Sequence, residues 1–269
     1  MTSLFVRRAG TLRRGRCPLV LLHGWSCHGG FFEPQMQALG EQTLVLAPDL
    51  PGHGRSAGRL APTIEAGANA LHDLLAEDGI ENAAVVGWSM GALVAWSMIE
   101  RHGAGRLSAL VVEDMSPKVV NAPDWQFGSR SGLDGDRNAV FLKAIETQWP
   151  LLAAPTARRT FASGAPRNLL SFAEREMRAA DPRSLAAMWR SLTAQDFRDL
   201  IPRLELPVVL AHGAQSQLYA AGAAHWQCTR LARARLHTFA ASGHAPHLEE
   251  AGPFNAMLGE VIDPRRSPN

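Results

Sequence analysis

The chain alternates between two hydrophobic rhythms. Short, continuous apolar runs recur at 17–24 (CPLVLLHG), 43–50 (TLVLAPDL), 82–89 (NAAVVGWS), 107–114 (LSALVVED), 206–213 (LPVVLAHG) and 235–243 (RLHTFAASG). A strand with one wet face alternates apolar and polar positions, so uninterrupted runs predict strands covered on both faces. Between them lie stretches of helical spacing, among them IEAGANALHDLLAEDG and GALVAWSMIERHG, the second stopped by Gly103. Strand–helix alternation of this kind predicts an α/β fold: a mostly parallel sheet with helices on both faces.

The rhythm breaks between residues 119 and 200. No strand-like run occurs there, and AVFLKAIETQW, LLSFAEREMRAA and SLAAMWRSL read as helices punctuated by Pro and Gly. The pattern predicts a helical lid, 119–200, inserted into a core of 1–118 and 201–269. Its place between two strands puts it at the carboxyl edge of the sheet, where open α/β sheets bind ligands.

Composition narrows the classes. Apolar residues make up 46% of the chain and charged ones 19%, as in an ordinary globular protein. The net charge of +2 is too small to argue for nucleic acid, and there is no dense Lys/Arg run. The apolar run near the N-terminus is too short for a signal core or a membrane span. Cys17, Cys27 and Cys228 form no metal-ligand spacing and read as free thiols. A cytoplasmic protein is expected.

Within that frame, candidate chemistry begins at Gly87-Trp88-Ser89-Met90-Gly91, a G-x-S-x-G motif set between a strand and a helix. Glycines there permit a tight turn that lifts the serine hydroxyl above the sheet, and the Met90 N–H then points at a developing oxyanion. After the strand that ends in His23-Gly24, Trp25 supplies a second backbone donor. Such donors are worth roughly 3–4 kcal/mol each in acyl transfer. His23 and His53 read as loop-bracing residues and Asp49 as a loop-shaping one. For the base, His244 in SGHAPHLEE follows the last strand, while its neighbour His247 opens a helix and would point away from the strand ends.

HGW, DLPGHGRS, GWSMG and GHAPHLEE, in that order, resemble the α/β-hydrolase superfamily. Within it, LLHGW, GWSMGALVA and HAPHLEEAGPF are similar to the carboxylesterases that demethylate pimeloyl-acyl-carrier-protein methyl ester. The resemblance implies a Ser-His-acid triad with Ser89 as nucleophile and His244 as base, and no metal or organic cofactor. It also exposes a gap. The usual acid position, G-x-x-D, reads Gly213-Ala214-Gln215-Ser216, and no acidic residue occurs from Leu206 to Leu248. An acid is then expected at the end of the strand after the nucleophile helix, where Glu113 and Asp114 are adjacent. Alternation along a strand lets only one of them face the histidine. The run DMSP looks like the D-[apolar]-[Ser/Ala]-P of small acyl esterases, which implies Asp114, with Glu113 the alternative.

The expected chemistry is hydrolysis of an acyl ester, and the same triad also serves C–C bond hydrolysis, lactone opening or acyl transfer. A non-catalytic ligand-binding member of the fold is the contrasting reading. Trp88, Phe31 and Trp149 are candidate acyl-pocket residues. From Lys143 to Arg190 the chain holds eight basic residues, Arg158 and Arg159 among them, against four acidic ones. A basic lid rim would suit an acyl-carrier protein or a CoA thioester, and a solvated helix surface with local ion pairs is the plainer explanation.

Overall fold

A computed structural model describes residues 4–263. In chain order the main elements are β1 (Val6–Ala9), β2 (Leu19–Leu22), α1 (Glu33–Leu39), β3 (Val45–Pro48), α2 (Ile64–Glu77), β4 (Ala83–Trp88), α3 (Met90–His102) and β5 (Leu107–Glu113). Next come α4 (Gly135–Thr160), α5 (Arg167–Arg178) and α6 (Pro182–Thr193), and then β6 (Val208–Gly213), α7 (Ala221–Cys228), β7 (Ala234–Phe239), α8 (Pro246–Glu249) and α9 (Ala251–Val261). The strands form one sheet in the order β1-β3-β2-β4-β5-β6-β7, parallel throughout except that β1 runs antiparallel to β3.

The continuous apolar runs lie where both faces are covered. Val20, Leu22, Val85, Leu110 and Val112 face one core with α2 and α3. Their alternate neighbours Leu19, Leu21, Val86 and Val111 face another with Phe254 and Leu258 of α9. Two strands depart from the expectation. β1 (VRRA) was not anticipated, because its arginines lie on an edge: Arg7 pairs with buried Asp49 and Arg8 with Asp78. β7, expected to be buried, is an edge strand whose residues are mostly half-exposed.

The helical insertion α4–α6 lies between β5 and β6. α4 passes through Pro150 and Pro155 and kinks at Gln148 (φ −136°), the adjustment that proline forces on the preceding turn. Asp134 and Asp181 cap the starts of α4 and α6, accepting from Arg137 N and Ser184 N at 2.9 Å each. Trp25 joins this layer to the sheet. Its indole N–H donates to Leu185 O at 3.0 Å, and its ring packs edge-on against Trp149 and Trp189. Among the described residues, no helix is long and apolar enough to cross a membrane.

Candidate active site

Ser89 occupies the turn between β4 and α3 with φ 52° and ψ −117°, a strained conformation for a residue with a Cβ. Close packing on both sides holds it there. A Cβ on Gly87 would lie 2.5 Å from Ala92 backbone, and one on Gly91 would lie 2.2 Å from Leu22 O. Neither position admits a side chain, which accounts for both glycines of the motif. The Ser89 N–H donates to Glu113 O at 2.9 Å, tying the turn to the end of β5. The hydroxyl lies 3.9 Å from Met115 Sδ, a weak contact that leaves it free to rotate.

Alternation at the end of β5 sends the two candidate acids to opposite faces. Asp114, in the left-handed region at φ 45°, turns toward the face of Val112 and accepts from His244 Nδ1 at 2.6 Å. The same oxygen, Oδ2, accepts from Ser216 Oγ at 2.6 Å, while Oδ1 accepts from His212 Nδ1 at 2.6 Å. Ser216, at the position of the G-x-x-D acid, thus donates to the Asp114 carboxylate instead of carrying one. It also accepts from the backbone N–H groups of Leu218 and Tyr219 at 3.2 Å each. Burial by itself would raise the Asp114 pKa, but hydrogen bonds from His212 and His244 hold it below the ordinary carboxylate value. Asp114 is therefore a carboxylate whose neighbours are all donors, and each histidine presents its Nδ1–H. Glu113 points the other way and binds His247, so the structure does not bring it to His244.

Nothing in the sequence marks His212, and Ser216 stands out there only as the residue in the acid slot, not as a donor to Asp114. The signal for His212 is the register of β5 on β6, which pairs Val112 with Leu210 and so sets Asp114 beside His212. That register is a tertiary fact. Tyr219, the one tyrosine of the chain, was also missed; its ring centroid is 5.8 Å from that of His244, and burial together with the Asp114 charge pushes its phenol pKa upward.

On the other side of Ser89, Trp25 follows the end of β2 and Met90 opens α3, where first-turn N–H groups lack intrahelical acceptors. No described residue accepts from the Trp25 N–H. Beneath this loop, His23 donates from Nδ1 to Gly24 O and accepts from Leu50 N at Nε2, both at 2.8 Å. His53 likewise donates to Pro51 O at 2.9 Å and accepts from Ser26 N at 3.2 Å. Asp49 accepts from Arg7 and from the N–H groups of Gly29 and Arg55. All three are loop-holding residues.

A cavity of about 400 Å³ opens over these groups, lined by Ser89, His244, Trp25 and Met90 at the sheet and by Phe141, Leu152 and Trp189 of the insertion, with Arg137 and Arg159 also in its wall. Trp88 lines it. Phe31 and Trp149, expected in the pocket, do not. They are almost fully buried behind the wall, Phe31 packed between Trp88 and Phe172, and Trp149 hydrogen-bonded to Met177 O at 2.9 Å. Several basic residues of the insertion form local pairs: Arg175 with Glu176, Arg178 with Glu174 and Arg190 with Glu146. Among the described residues, no carboxylate pairs with Lys143, Arg158 or Arg159, all exposed on α4.

Comparison with known proteins identifies the family and the fold. Residues 19–257 match the profile described as "Alpha/beta hydrolase family". The pimeloyl-[acyl-carrier protein] methyl ester esterase of Aromatoleum aromaticum is 33% identical over 260 residues, 92% of this chain and 98% of that protein. Its namesake from Chromobacterium violaceum is 31% identical over 277 residues, 97% of this chain and 98% of that protein. Among solved structures, an esterase from Exiguobacterium antarcticum superimposes with a TM-score of 0.88 at 22% identity, covering 96% of this chain and 95% of that one. The enol-lactonase of Burkholderia xenovorans gives a TM-score of 0.84 at 20% identity, covering 96% of each chain. These structural likenesses show the α/β-hydrolase fold.

Proposed function

The chain belongs to the α/β-hydrolase family and is a carboxylesterase-type hydrolase within it; from that premise we propose that it hydrolyses the ester of a carrier-bound acyl chain through a Ser89-His244-Asp114 triad. The observation that carries the reading is Asp114. It is a buried carboxylate aligned on His244 Nδ1 at 2.6 Å, with His244 and Ser89 both in the cavity wall. In this mechanism Ser89 Oγ rotates from Met115 to His244 Nε2, loses its proton there and attacks the ester carbonyl. Asp114 fixes the imidazole tautomer and stabilises the imidazolium. The Trp25 and Met90 N–H groups hold the tetrahedral oxyanion, removal of one such donor costing roughly 3 kcal/mol. The imidazolium protonates the departing alcohol, and water, activated by His244, releases the acid from Ser89.

The segment 119–200 serves as the lid over the core formed by 1–118 and 201–269, of which 1–3 and 264–269 lie outside the described residues. Its apolar wall suits an aliphatic acyl chain. A carrier protein suits α4, where exposed Lys143 and Arg158 stand with the exposed apolar side chains Val140 (72%) and Leu151 (74%). A basic, partly apolar helix that also walls the cavity is what an acidic carrier would dock on, and the relatives named above are esterases of an acyl-carrier methyl ester.

The reading is tested with p-nitrophenyl butyrate. The expected result is turnover with a rapid first burst, an acyl adduct on Ser89 by mass spectrometry, and loss of both in Ser89→Ala. Undiminished turnover by Ser89→Ala would remove the triad.

A further inference from the structure

We propose that Glu113 and His247 form a positioning pair for His244, an inference that rests on the triad above. Both side chains are fully buried and neither lines the cavity. Glu113 Oε1 accepts twice from the same residue, from the His247 backbone N–H at 3.0 Å and from its Nδ1–H at 2.8 Å. The remaining polar atoms of the pair, Glu113 Oε2 and His247 Nε2, have no hydrogen-bond partner among the described residues. Phe32 and Trp88 each lie 4.6 Å from the His247 ring, centroid to centroid, and buried Gln35 donates from Nε2 to His247 O at 2.8 Å.

Packing does not explain such a pair. A buried carboxylate is strongly desolvated, and hydrophobic residues of similar volume commonly hold a core as well or better. What the pair does supply is a fixed point. Glu113 and Asp114 are consecutive, and alternation sends them to opposite faces of the same strand end. Asp114 grips the ring of His244, and Glu113 grips the backbone three residues later. Trp88 adds a third restraint, donating from Nε1 to His244 O at 2.7 Å while its ring rests on His247. The short segment from His244 to His247 is thereby pinned by the ends of β4 and β5, the two strands that also carry Ser89 and Asp114. The distance between nucleophile and base is set by one rigid unit.

The test separates geometry from stability. In Glu113→Leu/His247→Phe the pair is replaced by apolar groups, so no buried charge is stranded. The expected variant stays folded with a modestly lower Tm, because the residue 247 N–H loses its acceptor. It keeps KM within about twofold, while kcat falls by about 10- to 100-fold, the scale of an ångström-sized misplacement. Glu113→Gln, whose amide oxygen still accepts both bonds, is expected to retain most of kcat. Should the double variant not fold, His247→Phe alone, which keeps the backbone bond, is expected to lose kcat several-fold at unchanged KM. Parental kcat in the folded double variant, or in His247→Phe if that is the one that folds, overturns the proposal and leaves the triad standing. Collapse of Glu113→Gln with near-parental activity in Asp114→Asn overturns both, by making Glu113 the acid.

Discussion

Asp114 carries an unusual load for one side chain. It accepts hydrogen bonds from His212, His244 and Ser216 and is the first residue after β5. The three bonds do different work. In the proposed triad the bond to His244 orients the base, so Asp114→Asn, which cannot hold the imidazole in the required tautomer, is expected to lower kcat by about 10⁴. Ser216 supports the carboxylate and also satisfies two backbone donors in its own turn. Ser216→Ala is therefore expected to lower stability by about 1–2 kcal/mol, since buried donors are left unpaired, while reducing kcat less than tenfold. Steady-state kinetics and urea unfolding on the two variants measure these effects, and a larger kcat loss in Ser216→Ala than in Asp114→Asn would contradict the division. The sequence could narrow the acid to two adjacent residues by noticing what position 216 lacks. Choosing between them from the residues alone required knowing which face of β5 meets which face of β6.

At the scale of elements, what was legible follows hydrophobic periodicity. Strands buried on both faces and the helices covering them announce themselves, and the order of motifs placed the serine turn and the terminal histidine loop on the same sheet edge. Edge elements did not, because pairing in β1 and exposure in β7 depend on neighbours far away in sequence. The pocket wall was misjudged for the same reason: Phe31 and Trp149 are apolar enough to line a cavity, and only their packing puts them behind it. The loops after β2 and β3 carry a further consequence. His53, buried and hydrogen-bonded in its neutral form, has its pKa lowered from 6.5 to about 4, chiefly by burial, and burial lowers that of His23 as well. The unfolded chain then binds more protons than the folded one as pH drops below 6.5. Stability is fully present above that value and is lost progressively as pH falls toward 4, by an amount on the order of 3 kcal/mol for His53. Thermal unfolding from pH 7.5 to 4.5 is expected to show a falling Tm, with a shallower slope in His53→Gln. A flat Tm over that range would be incompatible with these loops being held by neutral histidines.

Over the whole molecule the charges nearly cancel, with 27 basic and 25 acidic residues, so any electrostatic recognition must come from where they sit. The insertion concentrates them. Three of its arginines are engaged in ion pairs with neighbouring glutamates, whereas Lys143 and Arg158 have no carboxylate partner among the described residues, on the helix that also lines the cavity. A free surface cation contributes little to folding, yet it adds to the field that meets an incoming acidic partner. Because the screening length shrinks from about 10 Å at 0.1 M salt to about 3 Å at 1 M, such a contribution to association fades as salt rises. Reversing charge in Lys143→Glu/Arg158→Glu leaves the triad and cavity wall intact. It is expected to lower kcat/KM about tenfold or more on an acyl-carrier-linked methyl ester at low salt, the scale on which steering raises association rates, and to leave p-nitrophenyl butyrate turnover unchanged. The deficit should shrink in concentrated salt. Equal kcat/KM for parent and variant on the carrier-linked ester at low salt would mean that these cations serve only the solvated surface of α4, and that a carrier, if one is used, docks elsewhere on the rim.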